Sequence, residues 1–196
     1  DPLAINIDGQ GNIWTIDALK SGSTFDGLAD NATAISSSGT VLLNGRSGSG
    51  PAIFESSQMA ADNNGYMWLA GGEDPTVVYA TTSNTPGYTT LTSLSGAEVS
   101  GIAMDGYSNI WVTNSASSAA GNGLYEILEP NVNTVPLTTF PLSVGSANPS
   151  YVAVDGSGNV WTVSSAGTLT ETVGSAEPLT TPLSVGLATG NAGNVP

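Results

Sequence analysis

A chain of 196 residues with 39% hydrophobic and 7% aromatic content has enough apolar sequence for one packed domain, which excludes disorder as the overall state. Two basic residues, Lys20 and Arg46, stand against 16 acidic ones for a formal net charge of −14. That balance argues against nucleic acid and anionic membrane as partners, since both demand clustered Lys and Arg, and no apolar run approaches the roughly 18 residues of a membrane span.

The first predicted element is a hairpin, I-N-I-D-G-Q-G-N-I-W-T-I from Ile5, with Asp8 ending one β-rich run and Trp14 six residues later in the next. A Gly/Ser/Asp-rich stretch from Leu19 to Asn31 follows, then a hairpin from Thr33 to Asn44 around S-S-S-G, and a loop through Arg46 to Pro51. The opening hairpin then recurs as M-A-A-D-N-N-G-Y-M-W-L-A from Met59, carrying Asp62 and Trp68, with strands expected near 76–82 and 88–93. A third copy, I-A-M-D-G-Y-S-N-I-W-V-T from Ile102, carries Asp105 and Trp111, with strands expected near 124–128 and 135–140. The fourth, V-A-V-D-G-S-G-N-V-W-T-V from Val152, carries Asp155 and Trp161, with strands expected near 168–173 and 178–184.

Each copy reads as a β-hairpin because β-rich runs flank a Gly/Asn cluster that tolerates a tight turn. The Asp carboxylate is suited to accept backbone N–H bonds across that turn, and Asn12, Asn109 and Asn159 are expected at its left-handed position. The second copy has Tyr66 there, so its turn is expected to differ. Successive Trp residues lie 54, 43 and 50 positions apart, the interval of a recurring supersecondary unit with room for four strands. The expected units are about 1–54, 55–97, 98–147 and 148–196 of a single domain. Counting from Trp161 through the C-terminus and on to Trp14 covers 49 positions, so the repeat closes in phase. The expected fold class is all-β, a propeller of about four four-stranded blades, either a closed ring or an in-phase segment of a larger one.

The four-copy motif resembles the NHL-type and streptogramin-lyase-like propeller families, whose blades begin V-A-V-D-x-x-G-N-x-W-V; the copy from Val152 to Val163 matches it best. The resemblance implies a ring of twisted four-stranded sheets around a central channel, usually with more blades than four. In the lyase branch it also implies His-based chemistry beside a divalent metal. This chain contains no His, so no position takes that role.

Without His or Cys, the candidates for chemistry are few. Lys20 lies in a Gly/Ser-rich loop and reads as an exposed solubilising residue. Glu73/Asp74 and Glu126/Glu129 are acid pairs that glycoside hydrolysis could use across a cleft, but their expected places are loops and strand edges. Asp8, Asp105 and Asp155 resemble fragments of a calcium loop, yet each turn supplies one acid where calcium takes six to eight oxygens. Asp17, Asp26 and Asp30 form a looser acidic group. No catalytic, cofactor-binding or metal-binding residue is assigned, and no cofactor is expected.

The assigned residues are structural: Asp8, Trp14, Asp62, Trp68, Asp105, Trp111, Asp155 and Trp161, with each Trp packed between neighbouring blades. Asn6, Ala60, Ala103 and Ala153, two before each Asp, are expected where blades converge. Tyr66, Tyr79, Tyr88, Tyr107, Tyr125 and Tyr151 are candidates for exposed sugar or protein contacts. Asn31-Ala32-Thr33 matches a glycosylation sequon. A sequence rich in Ser, Thr, Gly, Asn and Ala and poor in Lys suggests an extracellular or cell-surface protein. The favoured expectation is a non-catalytic, self-assembling building block of a filament or surface layer whose partners are copies of itself. A propeller that binds a glycan or protein and a lyase-like enzyme are the alternatives.

Overall fold

The computed structural model describes residues 2–17, 32–43, 58–62, 66–71, 76–80, 99–115, 123–128 and 148–179. Thirteen strands and no helix occur among them, and hence no helix able to cross a membrane. They form four antiparallel sheets in chain order. The first comprises β1 (Pro2–Ile7), β2 (Ile13–Asp17), β3 (Ala32–Ile35) and β4 (Val41–Leu43). The second comprises β5 (Gln58–Ala61), β6 (Met67–Gly71) and β7 (Thr76–Ala80). The third comprises β8 (Val99–Met104), β9 (Ile110–Asn114) and β10 (Gly123–Ile127), and the fourth β11 (Pro149–Val154), β12 (Val160–Ser164) and β13 (Leu169–Thr172).

Every hairpin predicted from an Asp–Trp motif is present, and the third strands expected near 76–82, 124–128 and 168–173 follow as Thr76–Ala80, Gly123–Ile127 and Leu169–Thr172. The strands expected at 88–93 and 135–140 lie outside the described residues. The one expected at 178–184 does not begin where predicted: Pro178 and Leu179 are not in a strand.

Register repeats with the sequence. Asn6 pairs with Trp14, Ala60 with Trp68, Ala103 with Trp111 and Ala153 with Trp161, so a small residue faces each indole across the hairpin. A register shift near the start of the first strand recurs between Pro2 and Ala4, Val99 and Gly101, and Pro149 and Tyr151. Such a bulge re-aims the extra residue, which in the third and fourth sheets is Ser100 and Ser150.

Strand alternation then gives each sheet two faces with different jobs. The Trp face of one sheet packs on the opposite face of the next. Trp14, Ile16, Ala34 and Leu43 meet Met59, Met67 and Leu69. Ala60, Trp68 and Ala70 meet Val99, Ile102, Ile110 and Val112, with Tyr125 and Ile127 in the same cluster. Trp111 and Leu124 meet Val152, Val160 and Ala176. The core is therefore a series of slabs between sheets. Innermost strands approach closely: β1 packs on β5, β5 on β8 and β8 on β11. Gly101 is needed there, since a Cβ would press on the Thr113 hydroxyl, the Gln58 amide oxygen and the Tyr151 backbone. Among the described residues the fourth sheet has no comparable packing on the first.

Candidate functional site: repeated Asp–Trp locks and two open sheet faces

The turns of the first, third and fourth motifs fold around their carboxylates. In the first, Asp8 Oδ1 accepts from the backbone N–H groups of Gln10 and Asn12, and Oδ2 from the Asn12 amide and the Trp14 indole, each at 2.9 Å. Asp105 repeats this with Tyr107, Asn109 and Trp111, and Asp155 with Ser157, Asn159 and Trp161. Asp62 accepts from the Tyr66 N–H and the Trp68 indole, both at 2.9 Å, so the indole bond survives the loss of Asn. The left-handed residue is not the Asn. It is the residue before it, Gly11, Ser108 or Gly158, with φ of 79°, 65° and 81°. Asn12, Asn109 and Asn159 serve instead as amide donors.

These bonds set the acidity of the carboxylates. Burial is the largest influence on Asp8 and pushes its pKa up, but the bonds from Trp14, Asn12 and Gln10 together outweigh it and hold the group below its ordinary value. At Asp155 the Trp161 indole leads, with Asn159 and Ser157 adding to it, and the carboxyl lies well below the ordinary range. Hydrogen bonds to the ionised form favour it.

Residues after β13 run back across the turns as a strap. The Gly174 N–H donates to Asn159 Oδ1 at 3.0 Å and the Ala176 N–H to the Gly158 carbonyl at 3.0 Å. The Gly106 N–H then donates to the Glu177 carbonyl at 3.1 Å, and the Glu177 N–H to Asp105 Oδ2 at 3.2 Å. A Cβ on Gly106 would collide with the Pro178 carbonyl, whereas one on Gly9, its counterpart in the first turn, would meet no described residue. The strap brings Glu177 and Asp105 near Glu126, whose pKa rises through burial first and then through repulsion from those two carboxylates.

The other candidates fare differently. Lys20, Asp26, Asp30, Glu73, Asp74, Tyr88 and Glu129 lie outside the described residues, as do the side chains of Asp17 and Tyr79. Tyr125 is not an exposed contact: β10 turns it into the core between the second and third sheets. Tyr66 packs partly buried against the same cluster. Tyr107, at 70% exposure, and Tyr151 do face solvent. Among the described residues no group of three His, Cys, Asp or Glu is placed to hold a metal ion.

The four Trp side chains are not equivalent in burial. Trp14, Trp68 and Trp111 are buried, but Trp161 is only half-buried, because no described sheet covers the far side of the fourth. Val163 and Leu169, which pair on that face, are exposed too. At the other end of the series Ile5 is 71% exposed and Ile7 62%, with Ile13 also exposed. The sequence signalled the Trp residues but gave no sign of these two open faces, because the apolar pattern is the same in every copy.

No protein-family model and no curated protein matches the sequence. Solved structures do match the fold. A catalytically inactive virginiamycin B lyase from Staphylococcus aureus, determined with quinupristin, covers 88% of this chain and 55% of its own, at 15% identity and a TM-score of 0.53. A protein described provisionally as a gluconolactonase covers 92% of this chain and 60% of its own, at 12% identity and a TM-score of 0.57. The fold is a β-propeller. The extracellular domain of a hybrid two-component system protein from B. thetaiotaomicron shares it, covering 91% of this chain and 22% of its own, at 15% identity and a TM-score of 0.53. The four sheets are thus consecutive blades, each packed on the next. This chain spans 55–60% of the length of the lyase and gluconolactonase structures.

Proposed function

We propose that this propeller chain is a non-catalytic extracellular building block that assembles with copies of itself. The observation that carries the reading is the pair of open apolar blade faces, one at each end of the blade series, in a chain whose other described blade faces are packed together. A solvated sheet face normally alternates to polar residues, and leaving Ile5, Ile7, Ile13, Val163 and Leu169 in water forgoes about 25 cal/mol for each Å² of apolar surface that association would cover. The absence of His and Cys from the sequence supports a role without the usual nucleophile and base. The extracellular placement rests on composition and on the surface setting of one fold neighbour.

Sedimentation velocity of the full chain over a wide concentration range tests this reading. Mass rising above the monomer with concentration is the expected result, while a monomer at every concentration and salt overturns it.

A further inference from the structure

We propose that the Trp161 face of the fourth blade docks on the Ile5/Ile7/Ile13 face of the first blade in a second copy of this chain, in the register of the chain's own blade junctions. The inference rests on the assembly reading and specifies its interface.

Three internal junctions define what such a contact looks like. On one side stands a Trp with a small residue opposite: Trp14 with Asn6, Trp68 with Ala60, Trp111 with Ala103. On the other stand four cross-strand positions of the next blade. They are Met59, Ala61, Met67 and Leu69 in the second blade, Ile102, Met104, Ile110 and Val112 in the third, and Val152, Val154, Val160 and Thr162 in the fourth. The first blade carries Ile5, Ile7, Ile13 and Thr15 at those positions, paired in the same register. The fourth blade carries Trp161 opposite Ala153, with Val163 and Leu169 paired beside them. Each open face therefore has the form of one half of a contact the chain already makes three times, and the two halves are complementary.

A polar detail points the same way. At the junction of the third and fourth blades, the bulged Ser100 donates its hydroxyl to the Pro149 carbonyl at 3.0 Å. Ser150 occupies the Ser100 position in the fourth blade and, among the described residues, reaches the Asn148 carbonyl at 3.5 Å. Pro2 occupies the Pro149 position in the first blade. Docked in register, the Ser150 hydroxyl donates to the Pro2 carbonyl of the second copy.

The contact is heterologous, one face against a different face, so a dimer leaves both kinds of face open and growth continues until a ring closes or a fibre extends. Among the described residues neither face carries a basic residue, and Glu171 pairs with Trp161 on one of them. Repulsion between chains of net charge −14 opposes the contact, and salt strengthens it by screening.

The test uses one block on each face, Ile7→Glu and Val163→Glu, with sedimentation velocity as the readout. Each variant alone is expected to be monomeric where the unaltered chain associates, because each lacks one half of the contact. Mixed in equal amounts, they form a heterodimer through the two intact faces and nothing larger. Association of either variant alone, or a mixture that stays monomeric while the unaltered chain associates, overturns the interface and leaves assembly standing. An unaltered chain that never associates overturns both. Circular dichroism checks the fold of each variant. Should a buried charge disturb it, Ile5→Gln and Leu169→Gln at exposed positions give the same pattern, with association weakened about tenfold by lost apolar area.

Discussion

The Asp8 carboxylate and the Trp14 indole, six residues apart, are joined by a 2.9 Å hydrogen bond inside the packing between the first and second blades. The bond lets a large aromatic side chain fill an apolar slab without leaving its N–H unpaired. It also ties the turn to the core. Asp8→Ala strands the Trp14 indole and the Asn12 amide in a buried site and should cost about 3 kcal/mol in urea denaturation. Trp14→Phe keeps most of the apolar bulk and should cost less than Trp14→Ala, which should lose about 3–5 kcal/mol through the cavity it leaves.

Trp161 offers the internal control. Its indole is bonded to Asp155 at 3.0 Å as in the other copies, but the residue is only half-buried. Trp161→Ala in the monomer should therefore destabilise measurably less than Trp111→Ala.

The carboxylates predict opposite pH responses. The folded pKa values of Asp8 and Asp155 are lowered, so the stability they add is fully present above the ordinary value of 3.8 and is lost as pH falls through the folded values. Glu126 is raised, so its contribution is fully present below the ordinary value of 4.5 and is lost as pH rises through the folded value. Glu126→Gln should raise the melting temperature at pH 7, with the gain fading at pH 4. A loss at pH 7 would contradict the burial and repulsion assigned to this group.

Thr162 has a buried hydroxyl oxygen without a hydrogen-bond partner, at the register position that Leu69 and Val112 fill in the second and third blades. Thr162→Val removes an unpaired polar atom at nearly constant shape and should stabilise the chain by about 1 kcal/mol in the same denaturation assay.

Gly106 and Gly9 hold equivalent places in two turns, but only Gly106 lies under the strap. Gly106→Ala should cost about 1–3 kcal/mol by forcing the Ala176–Pro178 segment away, while Gly9→Ala should stay within about 0.5 kcal/mol. Comparable losses at both positions would mean the strap contributes little.

Much of the fold was legible because the Asp–Trp spacing recurs with alternating apolar residues, and alternation fixes both hairpin and register. The bond within each pair was not legible, since a spacing of six does not say whether a turn curls the carboxylate toward the indole. Asn12 was expected at positive φ on propensity, but the amide was worth more as a donor to Asp8, and Gly11 took the strained position. The polar handle of Tyr125 suggests a surface phenol, but its place on β10 between two blades buries it. The strap has no signature in the sequence, because A-E-P-L has no periodicity and its contacts join its backbone to the Asp and Asn side chains and backbone of two other turns. The open faces were invisible for a simpler reason: Ile5 and Ile102 look alike until one asks which blade lies in front of each.

The most direct measurement is amide hydrogen exchange of the full chain at concentrations below and above association. If the end faces meet head to tail, β1 and β2 at one end and β12 and β13 at the other gain protection together as concentration rises, while β9 and β10 between covered blades stay as they were. Exchange at both ends that is indifferent to concentration, or protection gained at only one of them, would contradict the account.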